Sequence, residues 1–268
     1  MNGSPRATVL VGAYDNAATL PRAIASILGQ TMTDLELVVI DDGSRDDSAA
    51  VAREAIGDDP RGRVLAMGRN VGIARSLNAG LREARAPVVA VQDADDWSDE
   101  RRLECQLKVL DAEPDVALVG TRMHEVDAEG RPLAPRTAFA AGDVTGVLMR
   151  FNPIPNSSAA YRREAALEHG GYDPRYRYAT EYDLWLRLAE RWRVVALEEP
   201  LSTRVMGTGN VAARAERTQT AEALAIRLRA LHRRRTLRGA TGLVLPTIGY
   251  LTPLPLKRAR RRRLGQAP

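Results

Sequence analysis

The chain has 268 residues, of which 44% are hydrophobic, 27% charged and 4% aromatic, with a formal net charge of +5 at pH 7. This length and composition predict a globular protein with a sizeable buried core. The segment KRARRRR at residues 257–263 carries six positive charges, so the rest of the chain sums to −1. With so few aromatic side chains to stack on bases, this charge distribution argues against a nucleic-acid-binding protein.

The first half of the sequence alternates apolar runs with segments of helical periodicity. Continuous Val, Leu and Ile runs, rather than alternating ones, indicate strands that are buried on both faces. We therefore predict strands at residues 8–13, 36–40, 64–67, 88–92 and 116–120, and helices at residues 20–28, 47–56, 73–84 and 99–112. Such alternation is typical of an α/β fold with a mostly parallel sheet and right-handed crossovers.

The second half is less regular. Gly and Pro residues interrupt residues 121–160 and predict an antiparallel excursion. A helix at 182–191, a strand near 193–197 and a long helix at roughly 212–236 follow. We divide the chain into two halves of one domain, 1–120 and 121–210, and a helical, basic C-terminal extension, 211–268.

Acidic residues follow the fourth predicted strand in VVAVQDADDW, residues 88–97. Ligands of parallel sheets bind outside the carboxyl ends of the strands, and Asp93 and Asp95 share one face of an extended chain. Carboxylates are preferred ligands of Mg²⁺ and Mn²⁺, which also hold substrate phosphates. The alternative is a solvated loop whose acids cap a helix at Asp99, and DADD alone does not decide between the two.

A second acidic pair favours the ligand-binding interpretation. Asp41 and Asp42 end another apolar strand in ELVVIDDGSRDDS, and a Gly-Ser turn follows. A turn with a helix N-cap at Asp46 or Asp47 would also explain this segment. Two acid-tipped strands in one sheet together predict a nucleotide site with a metal ion.

Seven segments, ordered along residues 7–206, resemble the family 2 glycosyltransferases, which have the GT-A fold. They are VGAYDNAATLPRAIASILGQT, ELVVIDDGSRDDS, NVGIARSLNAGLREA, DADDW, DERRLECQLKVLD, PIPNSSAAYRREAALEHGGYD and TEYDLWLRL. The resemblance implies an inverting, metal-dependent transferase that uses a nucleotide-sugar donor and a glycan or lipid-linked acceptor. Such an enzyme is expected in the synthesis of cell-envelope or extracellular polysaccharide or glycolipid.

The resemblance also implies roles for residues at the first two strand tips. Contacts to the nucleotide are expected from Ala13, Tyr14, Asp41 and Asp42, with Asp42 bonded to the base and the Tyr14 ring lying against it. A partly buried aromatic at a strand end is the alternative for Tyr14. Arg75 is expected to meet a phosphate, or else to be a solvated helix arginine.

At the D-x-D segment, the resemblance assigns the ribose and diphosphate contacts to Asp93, Ala94 and Asp95. Mn²⁺ or Mg²⁺ is expected at Asp95 and Asp96, with Asp96 as the direct ligand. Because the motif is read in different registers within the family, the aspartate that touches the metal stays open.

On the acceptor side, the family places an acid just before the DLWLR-type helix, and here that position is Glu181. We expect Glu181 to be the general base, although the family usually has Asp there. Asp183 is the rival base, and a helix start enriched in acids is the structural alternative for both. Asn156 and Trp185 are assigned to the acceptor side, with a core role as the alternative for Trp185.

Other activities and the location of the protein follow from weaker signals. A nucleotidyltransferase would need a Gly-rich, Lys- or Arg-bearing loop that VGAYDNAATL lacks, whereas a non-catalytic nucleotide-sugar-binding module stays open because of Glu181. A single cysteine and the absence of a predicted leader or spanning segment suggest a cytoplasmic protein. The apolar residues 243–256 and the basic run after them predict peripheral binding to an anionic membrane, with a solvated tail as the alternative.

Overall fold

The computed structural model describes residues 4–134, 139–206 and 210–234, the last of these with side chains from residue 217 onwards. In these ranges the strands β1 to β9 are Ala7–Ala13, Leu35–Asp41, Gly62–Ala66, Val88–Asp93, Trp97–Ser98, Val116–Val126, Gly142–Asp143, Ala160–Arg162 and Arg193–Val205. The helices α1 to α7 are Leu20–Leu28, Ser48–Ile56, Ile73–Glu83, Arg102–Ala112, Arg163–Glu168, Thr180–Leu188 and Asn210–Arg234. One 3₁₀ turn, Asn156–Ser158, precedes β8.

One mixed sheet runs through both predicted halves of the domain. Its order is β3-β2-β1-β4-β8-β6-β9-β5, and β7 pairs with β9. The first four strands in this order are parallel, as predicted, and β6 is parallel to β9. Antiparallel pairs come from β5, β7 and β8, and β7 confirms the antiparallel excursion expected within 121–160.

Several predicted boundaries are wrong from residue 99 onwards. The strands predicted at 116–120 and 193–197 extend to Val126 and Val205, because β6 and β9 pair with each other beyond the main sheet. The helix predicted from residue 99 begins at Arg102, since residues 99–101 form a turn closed by the Arg102 N–H on the Asp99 carbonyl. Helix α6 covers Thr180–Leu188 rather than 182–191.

Two hydrophobic clusters cover the two faces of the sheet, as the continuous apolar strands predict. Alternate strand residues belong to opposite clusters. Leu10 belongs to the cluster that contains residues of α3, α5, α6 and α7, whereas Val9 belongs to the cluster that contains residues of α1, α2 and α4. Helix α3 packs very close to the sheet at Gly80, because glycine has no Cβ atom. A Cβ at this position would lie 2.5 Å from Ile40 Cδ1. This packing brings the N-terminal end of α3 to the tips of β1 and β2.

The predicted membrane-binding segment at 243–263 lies outside the described residues. Among the residues that the structure does describe, no helix is both long and apolar enough to span a membrane.

Candidate active site

The acid-tipped strands end side by side at one edge of the sheet. Strand register places Ala13 opposite Asp41 and Gly12 opposite Asp93. The carboxyl ends of β1, β2 and β4 therefore meet at the edge where parallel sheets bind ligands. This juxtaposition, on which the predicted nucleotide site depends, is confirmed.

Asp42 has a backbone-binding role that the sequence did not reveal. Its two carboxylate oxygens accept hydrogen bonds from the N–H groups of Val71 (2.8 Å) and Gly72 (2.9 Å), at the start of α3. Gly43 permits this approach, since it has φ +71° and a Cβ there would lie 2.3 Å from the Arg69 carbonyl carbon. Asp42 thus links the tip of β2 by hydrogen bonds to the loop that precedes α3. Its contact with a base stays a prediction.

Tyr14 extends from the end of β1 and is one of the few exposed large aromatic side chains of the described residues, at 37%. Arg45 lies 5.6 Å from its ring centre and is ion-paired with Asp15. Asp41 is buried and accepts a hydrogen bond from the Ser44 N–H (3.2 Å). An accessible ring beside a buried carboxylate is compatible with stacking on a base.

The other predicted donor residues take different positions. Arg75 is exposed, and its Nη1 donates to the Val71 carbonyl at the N-terminal end of α3 (3.3 Å). Ala94 is buried within the turn after β4. Asp93 accepts a hydrogen bond from Asn156 Nδ2 (2.8 Å), and its own N–H donates to Ser157 Oγ (2.9 Å). Asn156 therefore belongs to the acid cluster of Asp93, Asp95 and Asp96.

Burial and mutual repulsion act on the remaining members of this acid cluster. Burial raises the pKa of Asp95, and the charge of Asp93 adds to the effect. Burial also raises the pKa of Asp96 to about 8, with further contributions from Asp93 and Asp95. A hydrogen bond from Ser157 and the charge of Arg204 oppose this rise without cancelling it. The cluster thus holds more negative charge than the described protein groups neutralise.

A buried arginine lies beneath the cluster. Arg102, from the R-L-x-x-Q segment, is 0% exposed and donates from Nη1 to the carbonyls of Val91 (3.1 Å) and Ser157. Its Nε and Nη2 have no hydrogen-bond partner among the residues that the structure describes. Burial lowers the pKa of Arg102 to about 10, and the charge of Asp96 opposes that change.

The residues of the cluster fit a divalent cation that is shared with a phosphate. Its donors are carboxylate oxygens, and within the described part of the chain the buried Oδ1 atom of Asn156 has no hydrogen-bond partner. Oxygen ligands of this kind are those that Mg²⁺ and Mn²⁺ prefer, usually through one or two carboxylates with substrate oxygens completing the shell. Within the described ranges, no group of three or more His, Cys, Asp or Glu side chains is arranged to hold a metal ion without such help.

Glu181 lies at a separate cavity of about 290 Å³, between α6 and α7. Its Oε1 accepts a hydrogen bond from Asn152 Nδ2 (3.3 Å). Burial raises the pKa of Glu181 to about 7, and the charges of Asp93 and Glu222 contribute, while N–H groups at the start of α6 oppose them. A carboxyl group with this pKa exchanges protons readily near neutral pH. The short segment 152–156 joins the cavity to the acid cluster, because Asn152 contacts Glu181 and Asn156 contacts Asp93.

The rival base, Asp183, has a different environment. It is buried, and its Oδ2 accepts hydrogen bonds from Arg187 Nε (2.8 Å) and Nη2 (2.7 Å). Arg187 also donates to the carbonyls of His169 and Gly171. Because the Asp183 carboxylate is buried and already paired with Arg187, this arrangement argues for a structural role of Asp183.

The acceptor-side assignment of Trp185 is wrong. Its side chain is 0% exposed, its Nε1 donates to the Ile154 carbonyl (3.1 Å), and its ring lies 5.5 Å from that of Tyr161. An indole packed in this way supports α6 from within the core and cannot contact a solvent-borne acceptor.

Sequence reasoning missed four residues around Glu181 and the acid cluster. Asn152 and Glu222 lie outside the seven segments, and Ser157 and Tyr172 lie within PIPNSSAAYRREAALEHGGYD without a feature that singles them out. The Tyr172 hydroxyl is hydrogen-bonded to that of Tyr161 (3.0 Å), and its pKa is raised by burial and, to a lesser degree, by Tyr161 and the charges of both Glu181 and Asp93. Only the assembled fold brings these groups together.

Comparison with known proteins gives matches over most of the chain. The family model described as "Glycosyl transferase family 2" matches residues 8–170. Among curated relatives, "Putative glycosyltransferase EpsE" of Bacillus subtilis is 32% identical, covering 75% of this chain and 73% of its own length. "Amylovoran biosynthesis glycosyltransferase AmsE" of Erwinia amylovora is 28% identical, covering 70% and 71%.

Solved structures share the fold. The TarS protein of S. aureus, solved as residues 1–349 in complex with UDP-GlcNAc, superposes with a TM-score of 0.68 at 16% identity, over 94% of this chain and 77% of that one. The mannosyltransferase PcManGT from Pyrobaculum calidifontis, in complex with GDP-Man and Mn²⁺, gives a TM-score of 0.65 at 22% identity, over 98% and 81%. The mixed α/β sheet is therefore a GT-A-like fold.

Proposed function

The chain belongs to glycosyl transferase family 2, and we propose that it transfers a sugar from a nucleoside-diphosphate sugar to a hydroxyl acceptor, with inversion at the anomeric carbon. One observation carries this proposal: the Glu181 carboxyl lines an open cavity, and the short segment 152–156 links it to the buried strand-tip acids through the contacts of Asn152 with Glu181 and of Asn156 with Asp93. An inverting transfer needs those two elements, a base for the acceptor and a site for the diphosphate.

The donor is proposed to bind across the tips of β1, β2 and β4. Tyr14 stacks on the base and Asp41 lies beside it, while Asp93 and Asp95 contact the ribose and the diphosphate region. Mn²⁺ or Mg²⁺ is proposed at Asp95 and Asp96, where as a Lewis acid it would stabilise the charge that develops on the leaving diphosphate. The Mn²⁺ and GDP-Man in the PcManGT complex support a donor and metal of this class.

Glu181 is proposed to take the proton from the acceptor hydroxyl. The oxygen then forms a bond to the anomeric carbon while the bond from that carbon to the diphosphate breaks, so a single displacement inverts the centre. Asn152 holds the Glu181 carboxyl from one side through its hydrogen bond to Oε1. A pKa of about 7 leaves a substantial ionised fraction at neutral pH and still gives a base of useful strength.

The acceptor is proposed to be a growing glycan or a lipid-linked sugar of an extracellular or envelope polysaccharide. The name of the relative AmsE, which assigns it to amylovoran biosynthesis, supports this class. A non-catalytic donor-binding module is the alternative that Glu instead of Asp at position 181 leaves open. The raised pKa of Glu181, beside an open cavity, favours the enzyme.

Incubation with single nucleotide sugars tests the proposed function. Purified protein is mixed with UDP-, GDP- or dTDP-sugars, with and without Mn²⁺, and the released nucleoside diphosphate is measured with and without an acceptor mixture from bacterial envelopes. We expect metal-dependent release from one donor class, accelerated by acceptor. Binding of a donor without release under any of these conditions would support the binding module instead.

A further inference from the structure

A carboxylate from the C-terminal helix holds the segment that leads into the proposed base. Glu222, on α7, accepts hydrogen bonds from three successive backbone N–H groups. They belong to Arg177 (2.9 Å), Tyr178 (2.8 Å) and Ala179 (3.0 Å). Ala179 is the N-cap residue of α6, and Glu181 follows two positions later.

The local sequence offers this segment no substitute for Glu222. Alanine at the N-cap has no side-chain oxygen, and α6 has no side-chain cap of its own. Backbone N–H groups before a helix must be hydrogen-bonded or solvated, and bonds to a charged acceptor are the stronger kind. The start of α6 is therefore fixed by a residue more than forty positions away in the chain.

Helix α7 is docked by other contacts as well. Ile226 and Ala230 are 0% exposed in the core, and Arg227 donates from Nη2 to the Arg150 carbonyl (3.1 Å). Arg233 is ion-paired with Glu190, beyond the other end of α6 (2.6 Å). Loss of Glu222 alone should therefore leave α7 in place and release only the residues before the base.

We propose that Glu222 is a positioning residue for Glu181, fastening the segment 177–179 so that the base faces the acceptor cavity. Residues of the same helix, among them Gln219, Ala223 and Arg227, line that cavity. One contact thus couples formation of the cavity wall to placement of the base. This inference rests on the proposed transferase function, because the position of a base matters only where a proton is taken.

The charge of Glu222 also acts on the base. It contributes to the raised pKa of Glu181, after burial and the charge of Asp93. The other charged or titratable groups near Glu181 are Arg227 and Tyr182 at the cavity and Tyr172. Removal of the Glu222 charge should lower the pKa of Glu181, while these other groups stay in place around it.

The test compares Glu222→Gln with Glu190→Gln in the full chain, using the donor and metal that wild-type protein turns over. Both variants remove one negative charge that ties the α6 region to α7, but Glu190 lies away from the cavity. We expect E222Q to lower kcat about tenfold to a hundredfold, as a displaced base would. The acid limb of its kcat profile should move to lower pH, and the donor KM should stay unchanged.

The control E190Q should keep the wild-type kcat and pH profile. An E222Q variant whose kcat falls only with its folded fraction, at an unmoved acid limb, would overturn the positioning role. The positioning role would also be overturned if the wild type is active and E222Q has the same kcat and pH profile. A wild type without activity on any donor would overturn the proposed function and this inference with it.

Amide hydrogen exchange on the wild-type chain gives a measurement that does not depend on the variant folding. The N–H groups of residues 177–179 should exchange slowly, although Arg177 is exposed. Exchange as fast as that of an open loop would show that Glu222 does not hold the segment and would overturn the inference.

Discussion

Two buried carboxylates at opposite edges of the same sheet have opposite environments. At the amino edge, Glu36 has a side chain that is 0% exposed and accepts hydrogen bonds from Thr8 Oγ1 (2.7 Å), Arg85 N (3.0 Å), Arg85 Nε (2.8 Å) and Arg63 Nε (3.1 Å). Burial raises the pKa of Glu36, but these bonds outweigh burial and leave it below its ordinary value. At the carboxyl edge, the pKa of Asp96 is raised to about 8.

The difference separates a structural acid from a functional one. A buried charge is tolerated when hydrogen bonds and opposite charges surround it, and Glu36 meets that condition within the protein. Asp96 has Asp93 and Asp95 as neighbours, and the buried Arg102, whose pKa the charge of Asp96 affects, has two nitrogen atoms without a hydrogen-bond partner among the described residues. The carboxyl edge thus retains a deficit of positive charge, which a divalent cation would fill.

Replacement of Glu181 should give the largest effect at the carboxyl edge. Glu181→Gln removes the base but keeps the side-chain shape, so we expect kcat to fall on the order of 10²- to 10⁴-fold. Donor binding and melting temperature should stay close to wild type, because Glu181 forms no ion pair with any residue that the structure describes. Steady-state kinetics and a donor titration check this, and unchanged turnover would reject the role of Glu181.

The matching change at the amino edge is Glu36→Gln, which should act on stability alone. It leaves Arg63 and Arg85 without their carboxylate and breaks charge-assisted hydrogen bonds, at a cost of about 2 to 3 kcal/mol in the free energy of unfolding. Urea unfolding measures the loss. Turnover per folded molecule should equal wild type, and a catalytic defect in folded E36Q would break the distinction between the two edges.

Metal binding should stabilise the carboxyl edge selectively. Mn²⁺ with a nucleoside diphosphate, at about a hundred times its dissociation constant, would raise the free energy of unfolding by about 2.7 kcal/mol. Asp96→Asn should lose most of that gain, yet without metal it should melt no lower than wild type, since it relieves repulsion with Asp93 and Asp95. Thermal-shift curves with and without metal measure the gain in each protein. An equal gain in wild type and Asp96→Asn would contradict the proposed metal site at Asp96.

Acid should affect both edges, but the property that is lost and the pH range should differ. Because the pKa of Glu181 is about 7, activity should fall about tenfold for each pH unit below 7, as the base becomes protonated. Glu36 has a lowered pKa, so its contribution to stability is complete above its unfolded value of 4.5 and is lost as pH falls through its folded value. Activity should therefore disappear well before stability, and coincident losses would indicate that unfolding, not Glu181, controls the profile.

Local sequence predicted the parallel half of the fold well, because residues 8–13 and 88–92 are continuous apolar runs whose strand type does not depend on distant partners. It failed on the lengths of β6 and β9, which are set by their mutual pairing. The acid tips were predicted because strand order and chain direction alone bring them together. Trp185 was misplaced, and Glu222 was missed, because their surroundings come from segments far apart in sequence.

The position of Mn²⁺ in a crystal soaked with a nucleoside diphosphate tests the central claim most directly. Anomalous scattering at the manganese edge locates the ion without assumption. We expect one strong peak within about 2.2 Å of a carboxylate oxygen of Asp95 or Asp96, bridged to the diphosphate. A peak bound elsewhere, or a diphosphate that lies away from the tips of β1, β2 and β4, would contradict the account.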